Sequence, residues 1–306
     1  MIETLDQLLE VAKSKKPATV SVANADDEAA LDAILQAGKI RMAKGLLFGQ
    51  KKKIKNLIEN LGEKEPDYVE IRDVPDPHQA VLEAVKAVRK GEASILLKGK
   101  IKTSALLKAV LDAEIGLRTG RLLSDVFLFE DPQRSKSNKL MMITDGGVTL
   151  APDIHQKVDI IKNAVEVWHA MGNECPKVAI LSAVETVVPA LQSTADAAII
   201  TKMNERGQIK GCVIDGPLAL DNAVSLEAAK IKGIESPVAG KADVLVCPGI
   251  EAANMLAKGT TYFARFRLAH VIMGSAAPVL IPSRSDTADA KLLSIAMGKL
   301  VCEMDQ

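Results

Sequence analysis

The chain has 306 residues, with 39 basic and 39 acidic side chains and an apolar fraction of 48%. This length suggests two domains, and a net charge of zero argues against a protein built to bind nucleic acid. No apolar run approaches the roughly 18 residues that span a membrane, and the cysteines have neither zinc nor disulfide spacing, so a soluble cytoplasmic protein is expected.

Short β-rich apolar runs alternate with longer amphipathic stretches along the chain. The first half predicts strands at 18–24, 45–49, 68–73, 94–99, 125–131 and 139–145. The second half predicts strands at 177–183, 196–202, 212–216, 242–248, 270–274 and 278–283. Between them, apolar residues recur at the three- and four-residue spacing of helices. Continuous apolar strands separated by helices predict an α/β fold with parallel, doubly covered sheets.

The segment 125–145 departs from this alternation. Its two predicted strands flank the polar sequence "DPQRSKSNK", which has no helical pattern. A short polar connection between two strands is typical of a hairpin rather than a parallel crossover.

Polar side chains follow most of the predicted strands. Ligands of open α/β sheets bind at the carboxyl ends of the strands, so these positions are candidate site residues. Each residue alone is also explained as a strand terminator or a helix cap. The positions are Lys98 with Gly99, Thr144 with Asp145 and Gly146, Ser182 with Glu185 and Thr186, Lys202, Asp215 with Gly216, Pro248 with Glu251, and Ser283 with Arg284. Together they suggest two sides of a cleft.

Several common catalytic motifs are missing from the sequence. It contains no GxGxxG dinucleotide fingerprint, no complete P-loop and no GxSxG nucleophile elbow. Its four histidines have no metal-ligand spacing, and no metal site is predicted. The low aromatic content, 3%, also argues against a surface on which bases stack.

The C-terminal stretch "PVLIPSRSDTADAKLLS" places Ser283 and Arg284 directly after an apolar run. A helix is predicted to start near Thr287. Arginine presents a rigid fork of donors to a phosphate, and a helix N-terminus adds free amides and a positive dipole end. The turn is therefore either an oxyanion site or a capped surface turn.

The segment 182–225, "SAVETVVPALQSTADAAIITKMNERGQIKGCVIDGPLALDNAVS", resembles the central signature of the phosphate butyryltransferases. These enzymes are the butyryl branch of the phosphate acetyl/butyryl-transferase family. Four further stretches agree with the same family: "KGKIKTSALLKAVL", "TDGGVTLAPDIHQKVDI", "ADVLVCPGIEAANMLAK" and "IPSRSDTADAKL". The resemblance runs from about Lys98 to the C-terminus.

This resemblance implies a homodimeric cytoplasmic enzyme with two doubly wound α/β domains, a cleft between them, and an architecture like isocitrate and isopropylmalate dehydrogenases. The expected domains are residues 1–143 with 276–306, and residues 144–275. The implied reaction interconverts acyl-CoA plus phosphate and acyl phosphate plus CoA. CoA is then a substrate, and neither a cofactor nor a metal nor a covalent enzyme intermediate is expected.

For the chemistry, the resemblance implies that Arg284 neutralises the phosphate and that Ser283 holds the phosphate or the thiol. The acetyl branch has its base six residues after the arginine, where this chain has Ala290. Asp286 belongs to the butyryl branch's Ser-Arg-x-Asp pattern and is the predicted base, with a capping role as the alternative. Asp289 is expected near the substrate.

Other matched positions are assigned to binding. Thr144 and Asp145 match the family's cleft-lining motif, and Gly146, which follows them, is assigned to the substrate as well. Asp145 is expected to orient a donor or, alternatively, to act as a hinge or cap. Asp215 either faces the cleft or braces a loop. Three basic residues are assigned to CoA binding, although each is also explained as solvated surface: Lys108, Arg118 and Arg121.

Three alternatives remain open at the level of sequence. Within the family, the acyl group is butyryl, acetyl or branched, because the walls of an acyl pocket cannot be located from this sequence. An oxidative decarboxylase of similar architecture would need clustered metal-binding aspartates, and a binding module without turnover would bind CoA only.

Overall fold

The structure is a computed structural model that describes residues 1–64, 66–134, 139–283 and 286–303. The chain forms two compact units. The first unit comprises Asp6–Arg121 and Ala269–Gln306, and the second comprises Met1–Leu5 and Leu122–Leu268.

Strands and helices alternate in both units, as the sequence pattern predicts. The strands are β1 (Ala18–Ala23), β2 (Ala43–Gly49), β3 (Val69–Asp73), β4 (Ile95–Lys98), β5 (Ser124–Glu130), β6 (Leu140–Thr144), β7 (Lys177–Leu181), β8 (Val213–Leu218), β9 (Val244–Val246), β10 (Leu268–Met273) and β11 (Val279–Leu280). The helices are α1 (Leu5–Ser14), α2 (Glu28–Lys39), α3 (Lys51–Asn60), α4 (Pro77–Arg89), α5 (Thr103–Val110), α6 (Ile154–Ala170), α7 (Gln192–Glu205), α8 (Leu220–Val224), α9 (Leu226–Ile231), α10 (Ile250–Tyr262) and α11 (Ala288–Cys302).

Side-chain caps fix where several helices begin. Asp27, Asp76 and Thr287 each accept a hydrogen bond from an amide three residues later, which satisfies a donor in the first helical turn. Asp153 and Gln156 form a full capping box at the start of α6. The predicted helix start near Thr287 is confirmed.

The first unit contains strands in the order β3-β2-β1-β4-β11-β10. All neighbours pair in parallel except β10 and β11, which are antiparallel. Val279 pairs with Leu96 and Leu280 with Leu97, so the carboxyl ends of β11 and β4 lie side by side. Residues that follow these two strands therefore meet at one edge of the sheet.

The second unit contains strands in the order β5-β6-β9-β7-β8. β6, β9, β7 and β8 are parallel, whereas β5 pairs with β6 antiparallel through Phe127 and Ile143. The hairpin predicted over 125–145 is therefore confirmed; residues 135–138 of its connection lie outside the described residues.

The division into units differs from the expected domain boundaries. The expected boundaries lie at 143/144 and 275/276, and the compact units divide at 5/6, 121/122 and 268/269. Strand pairing gives the reason: β6 pairs with β9, and β5 pairs with β6, so the whole hairpin belongs with the parallel strands of the second unit.

The strand predicted at 196–202 is wrong, because these residues lie inside α7. Buried Asp196, Ala197 and Ile200 recur at helical spacing, and the Gln192 amide donates to Asp196 one turn later. Lys202 is consequently an exposed helix residue paired with Glu205 rather than a residue at the end of a strand.

Of the helices in the described part of the chain, none combines the length and apolarity that crossing a membrane requires.

Candidate functional site

The turn after β6 is organised around Asp145, which is 4% exposed. Oδ1 accepts hydrogen bonds from the amides of Asp125, Gly147 and Val148 at 3.0, 3.0 and 3.1 Å. Oδ2 accepts from Thr149 at 2.8 Å. Burial raises the pKa of Asp145, and the hydrogen bonds from these amides oppose that rise. The carboxylate therefore holds the turn and joins it to the start of β5.

Thr144 and Gly146 complete this turn. The Thr144 side chain is fully buried, and its Oγ1 donates to the Asp125 carbonyl at 2.7 Å. The Gly146 carbonyl accepts from Asn254 Nδ2 at 2.9 Å, and a Cβ at Gly146 would lie 3.3 Å from the Ala253 carbonyl carbon. The turn is thus packed against α10, and substrate binding by these residues stays a prediction.

Asp215 does not end a strand, contrary to the sequence-based expectation. β8 continues through Gly216 and Pro217 to Leu218, and Asp215 pairs in register with Ala179 of β7. Its Oδ1 accepts a hydrogen bond from the Gly216 amide at 2.8 Å. The expected strand was too short because Gly216-Pro217 has the composition of a turn.

Three charged residues meet after β7 and β8. The Lys232 Nζ lies 3.2 Å from Glu185 Oε2 and 3.1 Å from Asp221 Oδ2. Its hydrogen bonds lower the pKa of both carboxyl groups. Asn222, which is fully buried, also donates to Glu185 through Nδ2 at 3.3 Å. The candidate carboxylate Glu185 is therefore held by protein partners.

The second candidate turn follows β11 in the first unit. The Ser283 amide donates to Asp286 Oδ2 at 2.7 Å, and the Asp286 amide donates to the Ser283 carbonyl at 3.1 Å. These reciprocal bonds close the turn, and Asp289 lies in the first turn of α11 that follows. Arg284, the predicted phosphate ligand, lies outside the described residues. Ser283 and Asp286, two of the three predicted catalytic residues, are thus in direct contact.

A residue that the sequence reasoning did not assign, His270, joins this turn. Its Nε2 lies 3.3 Å from Asp286 Oδ2, and its imidazole is 14% exposed. β10 and β11 are antiparallel, and Ile272 pairs with Val279. Continuing this register by two residues places His270 of β10 opposite Ile281. The sequence feature that could have pointed to His270 is a histidine inside the otherwise apolar strand "LAHVIM".

The neighbouring strand β4 brings Lys98 and Gly99 to the same edge of this sheet. Lys98 Nζ donates to the carbonyls of Gly99 and Ile101 at 3.2 and 3.3 Å. A Cβ at Gly99 would lie 2.1 Å from the Asn24 carbonyl oxygen, so only glycine permits the two backbones to approach this closely. Lys98 therefore braces the loop after β4.

The three basic residues assigned to CoA lie in or after α5. Lys108 is exposed in the last turn of this helix, Arg118 is exposed beside a backbone bridge to Ser275, and Arg121 is partly exposed. Exposed cations in one region suit a phosphate-rich ligand, and their role stays a prediction.

In the described ranges, no three His, Cys, Asp or Glu side chains are grouped as a metal ion would require.

Comparison with known proteins identifies the family. The model described as phosphate acetyl/butaryl transferase matches residues 68–298. The chain belongs to this family. It is 45% identical to a phosphate butyryltransferase of Clostridium beijerinckii over 98% of both chains. It is also 45% identical to a phosphate acetyltransferase of Thermotoga maritima, over 96% of this chain and 98% of that protein. The protein is therefore a phosphate acyltransferase.

Solved structures support the same assignment. A branched-chain phosphotransacylase from Enterococcus faecalis superimposes with a TM-score of 0.80 at 31% identity, over 93% of this chain and 99% of that one. At the level of fold alone, a putative 4-hydroxythreonine-4-phosphate dehydrogenase from Salmonella typhimurium matches with a TM-score of 0.58 at 10% identity, over 94% of this chain and 100% of that one. The predicted α/β, dehydrogenase-like fold class is confirmed.

Proposed function

We propose that this phosphate acyltransferase interconverts butyryl-CoA plus phosphate and butyryl phosphate plus CoA. The observation that carries the proposal is the closed turn between Ser283 and Asp286, directly after β11 and before the N-terminus of α11. The position that corresponds to the acetyl-branch base holds Ala290, which is 4% exposed. This departure favours the butyryl branch, and an acetyl substrate is the second candidate because a phosphate acetyltransferase is equally similar.

In the direction of thioester formation, the CoA sulfur forms a bond to the acyl carbon. The bond between that carbon and the phosphate oxygen breaks, and inorganic phosphate leaves with the electron pair. Arg284 and the Ser283 hydroxyl are assigned to the phosphate, where positive charge stabilises the developing anion. The positive end of the α11 dipole favours negative charge in the same region.

The proton of the CoA thiol needs an acceptor. A free thiol has a pKa of about 8.5 and an aspartate about 3.9, so a complete transfer before attack would be unfavourable. We therefore assign Asp286 to receive the proton as the carbon–sulfur bond forms, and the departing phosphate is the final acceptor. Thr144, Asp145, Gly146 and Asp289 are assigned to the substrate, and Lys108, Arg118 and Arg121 to the CoA phosphates. A homodimer is proposed from the family resemblance and is tested by sedimentation.

The deciding experiment measures thioester formation from CoA with acetyl, butyryl and isobutyryl phosphate, without added metal. Fastest turnover of butyryl phosphate supports the proposal, and a preference for acetyl phosphate supports the second candidate. CoA binding without turnover on any acyl phosphate would contradict both and favour a binding module.

Variants then test the assigned roles. Arg284→Ala should lose most turnover and raise the KM for phosphate, because the anion loses its bidentate partner. Asp286→Asn should reduce turnover far more than Asp289→Asn. Equal, mild effects of the two substitutions would exclude both aspartates as proton acceptor.

A further inference from the structure

The geometry points to His270 as a positioning residue for the acyl transfer: we propose that its ring N–H holds Asp286 in the orientation that accepts the thiol proton. His270 Nε2 lies 3.3 Å from Asp286 Oδ2, and the same oxygen accepts the Ser283 amide at 2.7 Å. This inference rests on the proposed function, in which Asp286 is the proton acceptor.

Two donors on one carboxylate oxygen define the orientation of the whole group. The Ser283 amide and the His270 ring approach Oδ2 from different elements, the turn and β10. A single bond would leave the carboxylate able to rotate about its Cβ–Cγ bond. With both bonds made, the plane of the carboxyl group and the direction of Oδ1 are fixed, which is what a positioned acid or base requires.

His270 is itself held on α11, the helix that follows the turn. Its backbone amide donates to Ser294 Oγ at 3.0 Å, and Ser294 Oγ donates to the Ala290 carbonyl at 2.8 Å. Both Ser294 and Ala290 are 4% exposed. The backbone of His270 is therefore attached to α11, the helix that begins directly after the turn of Asp286.

The proposed contact requires a particular protonation state. An ionised carboxylate only accepts hydrogen bonds, so Nε2 of His270 must carry a proton. The ring is then either the neutral Nε2–H tautomer or the imidazolium. The neutral Nδ1–H tautomer presents a lone pair to Asp286 and is incompatible with the proposal.

Two substitutions separate positioning from packing. His270→Gln retains an amide N–H near the position of Nε2, whereas His270→Phe retains the ring volume without a donor. Losing a hydrogen bond to a charged group typically corresponds to about a ten- to hundredfold change, so we expect kcat to fall by that factor in His270→Phe. We expect His270→Gln to recover kcat to within about fivefold of wild type, and the KM for CoA to stay within about twofold in both.

His78→Gln and His78→Phe serve as matched controls. His78 is exposed in the first turn of α4, in the same unit, and should leave kcat unchanged. Because His270 acts through Asp286, His270→Phe should have little further effect in an Asp286→Ala background. Circular dichroism and thermal unfolding of each variant verify that it is folded.

Nitrogen-15 NMR of the wild-type imidazoles, with His270 assigned by the loss of its signal in His270→Gln, reports the tautomer directly. A protonated Nε2 supports the proposal, and the neutral Nδ1–H tautomer overturns it. Equal losses of kcat in the Gln and Phe variants, full activity of His270→Phe, or additive effects with Asp286→Ala would each overturn it as well. A wild-type protein without turnover on any acyl phosphate would overturn the proposed function and this inference together; the other outcomes affect the inference alone.

Discussion

The buried ammonium of Lys299 makes a strong prediction about stability. Lys299 is 1% exposed in α11, and its Nζ donates to the carbonyls of Ala12, Lys15 and Met42 at 2.6, 3.0 and 3.1 Å. Two of these carbonyls lie at the C-terminal end of α1, where a cation interacts favourably with the helix dipole. Lys299 thus connects the last helix to α1 and to the segment before β2.

Lys299→Met keeps the length of the side chain and removes all three hydrogen bonds. A hydrogen bond to a charged donor contributes about 1.5 kcal/mol or more, and methionine avoids the desolvation of a buried ammonium. We therefore expect a loss of about 3 kcal/mol in the free energy of unfolding. Lys52→Met, at an exposed position of α3, is the matched control and should change this free energy by less than about 0.5 kcal/mol.

Native-state hydrogen exchange is the suitable assay, because a chain with two compact units does not guarantee two-state unfolding. The Ala18 amide, which donates to the Met42 carbonyl, should exchange about a hundredfold faster in Lys299→Met. An increase below about threefold, with the wild-type fold intact, would refute the reasoning that these three bonds outweigh the desolvation of the ammonium.

Three further predictions concern thiols, surface charges and metal. Burial raises the pKa of the Cys247 thiol to about 12, so an aromatic disulfide reagent at pH 8 should label exposed Cys175 in the native protein and Cys247 only after unfolding. Rapid labelling of the native protein that persists in Cys175→Ser and is lost when Cys247→Ser is added would contradict this. Lys232→Met should move the titration midpoint of Glu185 upward, because the ammonium that lowers this pKa is lost, and carbon-13 NMR measures the change. Turnover should be the same before and after exhaustive treatment with a chelator, since the proposed reaction uses no metal; a loss restored by a divalent cation would show otherwise.

Sequence patterns predicted the fold better than they predicted the contacts of the site. The apolar runs located most strands to within a few residues, and the polar connection in 125–145 revealed the hairpin. The failure at 196–202 has a physical cause, because β-branched Ile199, Ile200 and Thr201 favour a strand locally. In the folded chain they lie in α7, whose buried face places Asp196 2.6 Å from Lys157. Such a tertiary contact has no signature within a short window of sequence.

The site residues that the sequence reasoning missed share one topological origin. Sequence patterns point to residues that follow strands, which is correct for parallel strands because their carboxyl ends meet at one edge. An antiparallel neighbour runs the other way, so its first residues lie at that same edge. Asp125, at the start of β5, donates its amide to Asp145 after β6, and His270, near the start of β10, contacts Asp286 after β11.

The two antiparallel strands contribute to the candidate turns in the same way. β5 and β10 each lie beside a strand that is followed by a candidate turn, and each supplies a group that binds the aspartate of that turn. Asp125 offers a backbone amide, so almost any residue could replace it at this contact; His270 offers a side-chain donor, so its identity matters. Substitutions at position 270 should therefore reduce the proposed transfer more than substitutions at position 125. The Gln and Phe variants of His270 measure how strongly the transfer depends on the side chain at that position.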